Sequence, residues 1–202
     1  MIEIREASKA DIKRIVAVHN AAFKDFFLTS LGSRFLALYY RSVLRNPRGI
    51  LLVSDNGDGV IGFCAGTLLS AGFNSNLIKK NFSAYALEGL KLLFTNPVSL
   101  WHLFKNFSKE DSNVGDKGEY AELLSIAVDP NAQRSGAGKS MLLALEEEVK
   151  KRGGQQLSLT TDFNENEKAI GFYHSLGYRE WYDFVTYPNR RMYRLIKDIQ
   201  NR

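Results

Sequence analysis

Cysteine is almost absent from this chain. Cys64 stands alone, so no internal disulfide can form and a thiolate zinc cluster fails on ligand count. Cys64 sits in an apolar stretch and reads as a small buried hydrophobe rather than a nucleophile. Histidine is nearly as scarce. His19, His102 and His174 show no metal-ligand spacing and read as structural or solvated side chains, so no metal is expected. Long hydrophobic runs are also missing, which excludes a membrane-spanning helix. The opening MIEIREASKADIKRI alternates charge from its start, unlike a secretory leader, so a cytoplasmic location is expected. Blocks of like charge are short and there is no basic tail. The net charge of +5, from 27 basic and 22 acidic residues, suits a phosphorylated ligand but is too small to argue for nucleic acid.

What is present is an ordinary globular composition, 45% hydrophobic and 24% charged, over a length of 202 residues that fits one domain with a sizeable core. Ile2 and Ile4 alternate with polar neighbours in a short strand. Ser8, with Asp11 three residues on, starts a helix carrying Ile12, Ile15, Val16 and Ala22. Phe26 to Thr29 read as a loop, and Ser33 to Leu44 as a second helix ended by Asn46-Pro47. Ile50–Ser54 and Val60–Leu69 form a hairpin across Asn56-Gly57-Asp58-Gly59, with Gly62 and Gly66 allowing a bulge or close approach.

Residues 70 to 117 break this rhythm. They show helical patterns near Leu77–Leu93 and Val98–Phe107, which we read as a helical insertion in a single domain spanning 1–202. Trp101, Phe104, Phe107 and the neighbouring lysines suit packing onto the sheet, the reading we prefer, or contact with a membrane surface or partner subunit. A strand over Glu119–Val128 follows, then a helix over Gly136–Arg152 with Met141, Leu142, Leu145 and Val149 on one face. On its exposed turns Glu146–Lys150 and Glu147–Lys151 are favourable pairs. Next come a strand over Leu157–Thr161 and a helix over Asn164–Ser175, with an asparagine cap and Glu167 placed as in a capping box. Two strands, Glu180–Thr186 and Arg191–Leu195, close the chain. Interleaved helices and strands imply an α/β (α+β) fold: one mixed sheet of about seven strands flanked by helices.

The stretch QRSGAGKS, residues 133 to 140, has the ending of a phosphate-binding P-loop. A P-loop requires its first glycine where Gln133 stands, and that absence removes the motif. The dinucleotide pattern fails as well, because Met141 holds the third glycine's position. Gly136 and Gly138 at a helix N-terminus, with Arg134 and Lys139 beside them, still suit an anion, but a Gly-x-Gly taken alone is better read as a plain strand-to-helix turn.

Val128-Asp-Pro-Asn-Ala-Gln133-Arg-Ser-Gly136-Ala-Gly138-Lys resembles the acyl-CoA-binding motif of the GCN5-related N-acetyltransferase (GNAT) superfamily. Asn166-Glu-Lys-Ala169-Ile-Gly-Phe172-Tyr173-His-Ser-Leu-Gly177-Tyr178 resembles a second segment of that family, in the same order and spacing. The resemblance is specific over roughly 119–184 and loose over the N-terminal half. It implies a sheet splayed between its fourth and fifth strands, with the pantetheine arm of acetyl-CoA in the cleft.

Acetyl transfer to an amine needs a base, a stabilised oxyanion and a proton for the leaving thiolate. Alternation puts Glu122, Leu124, Ile126 and Val128 on one strand face, where desolvation would raise the Glu122 carboxyl toward working pH. The resemblance places the family's catalytic glutamate at Glu122. A strand-end glutamate paired with a lysine is an equal reading, and Glu119 or a water chain are alternatives for the base. The resemblance implies further that the backbone of Ile126, Ala127 and Val128 meets the acetyl and pantetheine groups. It assigns the pyrophosphate to Gln133, Arg134, Ser135, Gly136, Ala137, Gly138 and Lys139, a pantetheine contact to Asn166, and proton donation to Tyr173, ahead of Tyr178 and Tyr120.

The acceptor side is less defined. Phe23, Phe26, Phe27 and Arg34 could line it, and the aromatic loop resembles GNAT proteins of polysaccharide biosynthesis, which points to a small primary amine such as an amino sugar, free or nucleotide-linked. A protein or peptide amine, or CoA binding without turnover, are the alternatives, and a homodimer is compatible with the sequence.

Overall fold

The computed structural model describes residues 2–24, 26–95, 97–98, 115–187 and 189–199. Strands β1 (Glu3–Glu6), β2 (Gly49–Asp55), β3 (Val60–Thr67), β4 (Ala121–Val128), β5 (Gln156–Asp162), β6 (Arg179–Thr186) and β7 (Arg190–Asp198) form one sheet in the order β1-β2-β3-β4-β5-β7-β6. β4 and β5 run parallel, and every other neighbouring pair is antiparallel. The parallel pair needs a crossover, and the helix α6 (Ala137–Lys151) supplies it. The expected mixed, seven-stranded α/β architecture is the one observed.

Helices cover both faces. On one lie α1 (Ile12–Ala22), the single turn α2 (Phe27–Ser30), α3 (Gly32–Arg45) and α4 (Phe73–Lys80). Ile15, Val18, Leu36, Val43 and Leu77 of these helices close a core with Val53, Phe63 and Ala65 of the sheet. On the other lie α6 and α7 (Glu167–Ser175), whose Met141, Leu142, Leu145 and Tyr173 pack on Cys64, Leu123, Leu157 and Leu159. α6 approaches so closely that a Cβ at Gly66 would stand 2.8 Å from Leu145 Cδ1, and one at Gly62 2.9 Å from Met141 Cε. This is the close approach that glycines inside a strand suggest. Cys64 is buried there, and desolvation pushes its thiol well above the ordinary range.

Asp11 accepts from the Ser8 N–H at 2.7 Å and from Ser8 Oγ at 2.8 Å, so the expected start of the first helix is present, opened by a 3-10 turn over Lys9–Asp11. Four expectations are revised. Residues 27–30 wind into α2 rather than a loop. The first insertion helix is two, α4 and α5 (Phe82–Thr95), broken where Asn81 Nδ2 turns back to the Leu77 carbonyl at 3.0 Å. The second insertion pattern, with Trp101, Phe104 and Phe107, is not one of the four, since it lies almost wholly outside the described residues.

The remaining two revisions concern α6 and α7. Glu146 is buried instead of exposed. It accepts from Tyr178 Oη at 3.0 Å and Lys197 Nζ at 2.6 Å, tying α6 to β7 and to the end of α7. α7 begins at Glu167 without a side-chain cap, because Asn166 Nδ2 reaches back to β5, to Thr161 Oγ1 at 2.6 Å.

Candidate active site

β4 and β5 pair only through Ala121↔Leu157, Glu122↔Ser158 and Leu123↔Leu159. Beyond that point the strands part, and the β5-facing edge of β4 has no strand partner among the described residues. The parting coincides with a bulge. Gly66 pairs with Leu123 but Ala65 pairs with Ser125, so Leu124 is an extra residue in β4. The extra residue inverts the alternation. Leu124 packs into the α1/α3 core, whereas Ile126 and Val128 pack into the α6/α7 core. The expected shared face of Glu122, Leu124, Ile126 and Val128 therefore does not exist. A period of two cannot continue through a bulge.

The gap holds a cavity of about 470 Å³ that passes between the two strands. His19 lines it from the α1 face, and Tyr173 from the α7 face. Ile126 and Asn166 line it as well.

The loop after β4 leads to the N-terminus of α6. Asp129 accepts from the Asn131 N–H at 3.0 Å and holds Arg14 at 2.8 Å, which fixes the turn. Gln133 is extended, Arg134 has φ 65° and Gly136 φ 84°. Two left-handed residues turn the backbone into α6, and Gly136 meets this demand without strain. No side chain caps the helix. Ser140 N donates to the Gly136 carbonyl at 3.0 Å, and Ala137 N finds only Ser135 Oγ at 3.5 Å. The first-turn N–H groups of Ala137, Gly138 and Lys139 thus present partial positive charge at the helix start, with Arg134 on the loop before it and the Lys139 side chain in the same turn, a fit for a phosphate. Ala127 is buried in the sheet.

Tyr173 is 9% exposed, with its ring in edge contact with Phe172 and Tyr178. Its hydroxyl has no hydrogen-bond partner among the described residues. Burial pushes its pKa up to about 12, so it stays protonated through the neutral range. The other two tyrosines weighed for the same task are engaged. Tyr178 is bonded to Glu146, and Tyr120 donates to Asp116 Oδ2 at 2.6 Å.

Glu122 is not among the residues lining the cavity. Its Oε1 accepts from Arg194 Nη1 at 2.6 Å and its Oε2 from Ser70 Oγ at 2.5 Å. Arg194 is 2% exposed, and Asp116 Oδ2 lies 3.9 Å from its Nε. The carboxylates of Glu122 and Asp116 neutralise a buried guanidinium that joins β7 to the end of the insertion. Glu119 is exposed.

On the α1 side the cavity is lined by Phe23, Phe26 and Leu28, with the ion pair Arg190–Asp162 (2.6 Å) opposite. The Arg190 guanidinium lies 4.9 Å over the Phe26 ring. The side chain of Phe27 lies outside the described residues. Arg34 is elsewhere, in a groove between α3 and α5 with Arg41, Arg45 and Lys91. Sequence reasoning missed His19, Ser125, Asp162 and Arg190. His19 follows Ile12, Ile15 and Val16 at helical spacing, and that spacing was the available signal that it faces inward. Among the described residues no group of three metal-ligating side chains occurs.

Residues 13–178 match the model of the Acetyltransferase (GNAT) family. The chain is 45% identical over 60 residues to the [Ribosomal protein bS18]-alanine N-acetyltransferase of Escherichia coli (strain K12), which is 30% of this chain and 40% of that protein. It is 29% identical over 82 residues to the mycothiol acetyltransferase of Kocuria rhizophila, 41% of this chain and 27% of that protein. The matched stretches thus span less than half of these relatives' length. The structure of yncA from Salmonella typhimurium, solved with its cofactor acetyl-CoA, superposes with a TM-score of 0.61 at 15% identity, covering 100% of this chain and 95% of that one.

Proposed function

The chain belongs to the Acetyltransferase (GNAT) family, and on that premise we propose that it transfers an acetyl group from acetyl-CoA to a primary amine. The observation that carries the reading is the passage between β4 and β5, with an uncapped helix N-terminus at the end of β4 and a buried, unpaired phenol inside. When bound, acetyl-CoA supplies an acetyl group activated as a thioester. The backbone N–H groups of Ala137, Gly138 and Lys139, turned by Gln133 to Gly136, hold the pyrophosphate, and Arg134 and Lys139 add charge. The free edge of Ile126 to Val128 lies along the pantetheine arm, and its N–H groups orient the acetyl carbonyl and stabilise charge on its oxygen. Asn166, fixed by Thr161, borders the arm. Tyr173 donates a proton to the departing sulfur, which its neutral phenol can do throughout the neutral range.

In this reading Glu122 is structural, since both of its oxygens are committed to Arg194 and Ser70. The acceptor enters from the α1 side, past Phe23 and Phe26. The cavity of about 470 Å³ must also take the acetyl end of the cofactor, and the space left beside Phe23, Phe26 and Leu28 supports a small primary amine. A peptide amine is the second reading, favoured by the similarity to a ribosomal-protein acetyltransferase. The whole chain acts as one domain, with 70–117 as its insertion. CoA release is to be followed over amino sugars, aliphatic and aromatic amines, and peptides with N-terminal alanine. Binding of acetyl-CoA without turnover on any of them would leave a CoA-binding protein instead.

A further inference from the structure

His19 is 2% exposed and lines the cavity, yet its Nε2 has no hydrogen-bond partner among the described residues. Its other nitrogen is held. Nδ1 lies 2.7 Å from Tyr40 Oη, and Tyr40 Oη donates to Ser125 Oγ at 3.4 Å. This line runs from α1 through α3 to the bulge of β4, beside the point where the strands part. The aromatic rings of Phe23, Tyr40 and Phe63 pack around the imidazole and fix its plane. An imidazole held this firmly, on a residue that lines the cavity and with its second nitrogen buried and unpartnered among the described residues, is arranged for a ligand rather than for packing.

We infer that His19 Nε2 is the receptor for the acceptor amine, taking its N–H hydrogen bond on arrival and its proton as the new bond forms. The inference rests on the acetyl-transfer reading and completes it, because Tyr173 supplies an acid and Glu122 is not free to act as the base. The tautomer follows from the network. A buried N–H donor left unpaired is rarer than an acceptor left unpaired, so the proton sits on Nδ1, facing Tyr40, and Nε2 presents its lone pair. Burial among rings lowers the His19 pKa to about 4, so the imidazole is neutral at neutral pH with no proton on Nε2, and it takes the amine's proton only once bond formation has made that nitrogen acidic.

The step balances. The amine nitrogen bonds to the carbonyl carbon and becomes acidic as it does so, and its proton passes to Nε2. The C–S bond breaks with its electron pair on sulfur, and the Tyr173 hydroxyl supplies the proton there. Imidazolium and phenolate then return to neutrality through solvent. His19 works from the α1 face and Tyr173 from the α7 face, so the two proton transfers occur on opposite sides of the sheet.

Heteronuclear NMR on histidine-labelled wild-type protein reads the tautomer directly. A neutral ring protonated at Nδ1 is expected, and a proton on Nε2 overturns the inference. His19→Asn keeps a donor at the Nδ1 position for Tyr40 and deletes Nε2. It should bind acetyl-CoA within about two-fold of wild type by calorimetry, while kcat with the best amine of the panel falls about 100-fold. Wild-type turnover by His19→Asn sinks this inference alone. Failure of the wild type to bind acetyl-CoA sinks the acetyl-transfer reading, and this one with it.

Discussion

Gly138 offers a way to separate ligand binding from folding at the start of α6. It lies on ordinary helical backbone, and a Cβ there would stand 3.9 Å from Val128 Cγ2, an ordinary contact. Gly136 is a poorer target, since its φ of 84° strains any other residue whatever its charge. Gly138→Glu places a carboxylate in the first turn of an uncapped helix. The macrodipole favours it there, and replacing glycine inside a helix adds up to about 1 kcal/mol. The fold should hold or gain slightly.

Binding should suffer. At about 6 Å and an effective dielectric of about 40, one charge repels another by about 1.4 kcal/mol, so the two charges of a pyrophosphate give about 3 kcal/mol. That is about a 100-fold rise in Kd for acetyl-CoA. Calorimetry on Gly138→Glu and Gly138→Gln, at low and high salt, isolates the charge. The Glu variant should weaken binding far more than the Gln variant, and salt should narrow the difference. Equal affinities for the two variants, with melting temperatures at or above wild type, would refute the assignment of this helix terminus to the cofactor's phosphates.

Other outcomes follow from the same geometry. Glu122→Gln leaves the buried Arg194 short of a counter-charge, so stability should fall by about 3 kcal/mol in urea unfolding; a normal midpoint with lost kcat would instead restore Glu122 as the base. Tyr173→Phe should lower kcat about 100-fold and leave the KM for acetyl-CoA nearly unchanged in a CoA-release assay. Because the Tyr173 pKa is about 12, any alkaline limb of the rate profile seen below that range should survive the substitution. The Arg5 guanidinium holds the Asp11 carboxyl well below the usual range. The folded state therefore binds fewer protons than the unfolded chain, and the stability this gives, full above about 4, the ordinary aspartate value, is lost progressively as pH falls from there toward the depressed folded value. Asp11→Asn should flatten that acid limb in pH-dependent melting.

The readable and the unreadable parts of this site differ in their range along the chain. Met141, Leu142, Leu145 and Val149 announce α6 because helical burial repeats locally, and all four are 0% exposed. The loop from Gln133 to Gly138 was legible for a similar reason, since a left-handed turn and an open helix N-terminus need glycine at fixed offsets. The surroundings of Glu122 were hidden for a different reason. Its Oε1 is held by Arg194, which lies 72 positions away and meets it only across β4, β5 and β7. No spacing rule links such residues, and an alternation carried through Leu124 gives a face that the bulge abolishes. Glu146 misled in the same way. Its i+4 lysine suggested a surface pair, but Tyr178 and Lys197, distant in sequence, draw it inward.

His19 lies between these cases. Its helical spacing placed it on the buried face, but a buried histidine is most often only a core residue. What changes its meaning is the unpaired Nε2 on a residue that lines the gap, where β4 gains one residue and parts from β5. The coincidence predicts that the site depends on that single extra residue. Deleting Leu124 should restore the register of β4 and with it the alternation through Val128. It should close the gap and abolish acetyl-CoA binding while the sheet itself still forms. Acetyl-CoA bound by a folded Leu124 deletion at wild-type affinity, measured by calorimetry beside circular dichroism, would show that the bulge is not what opens the site.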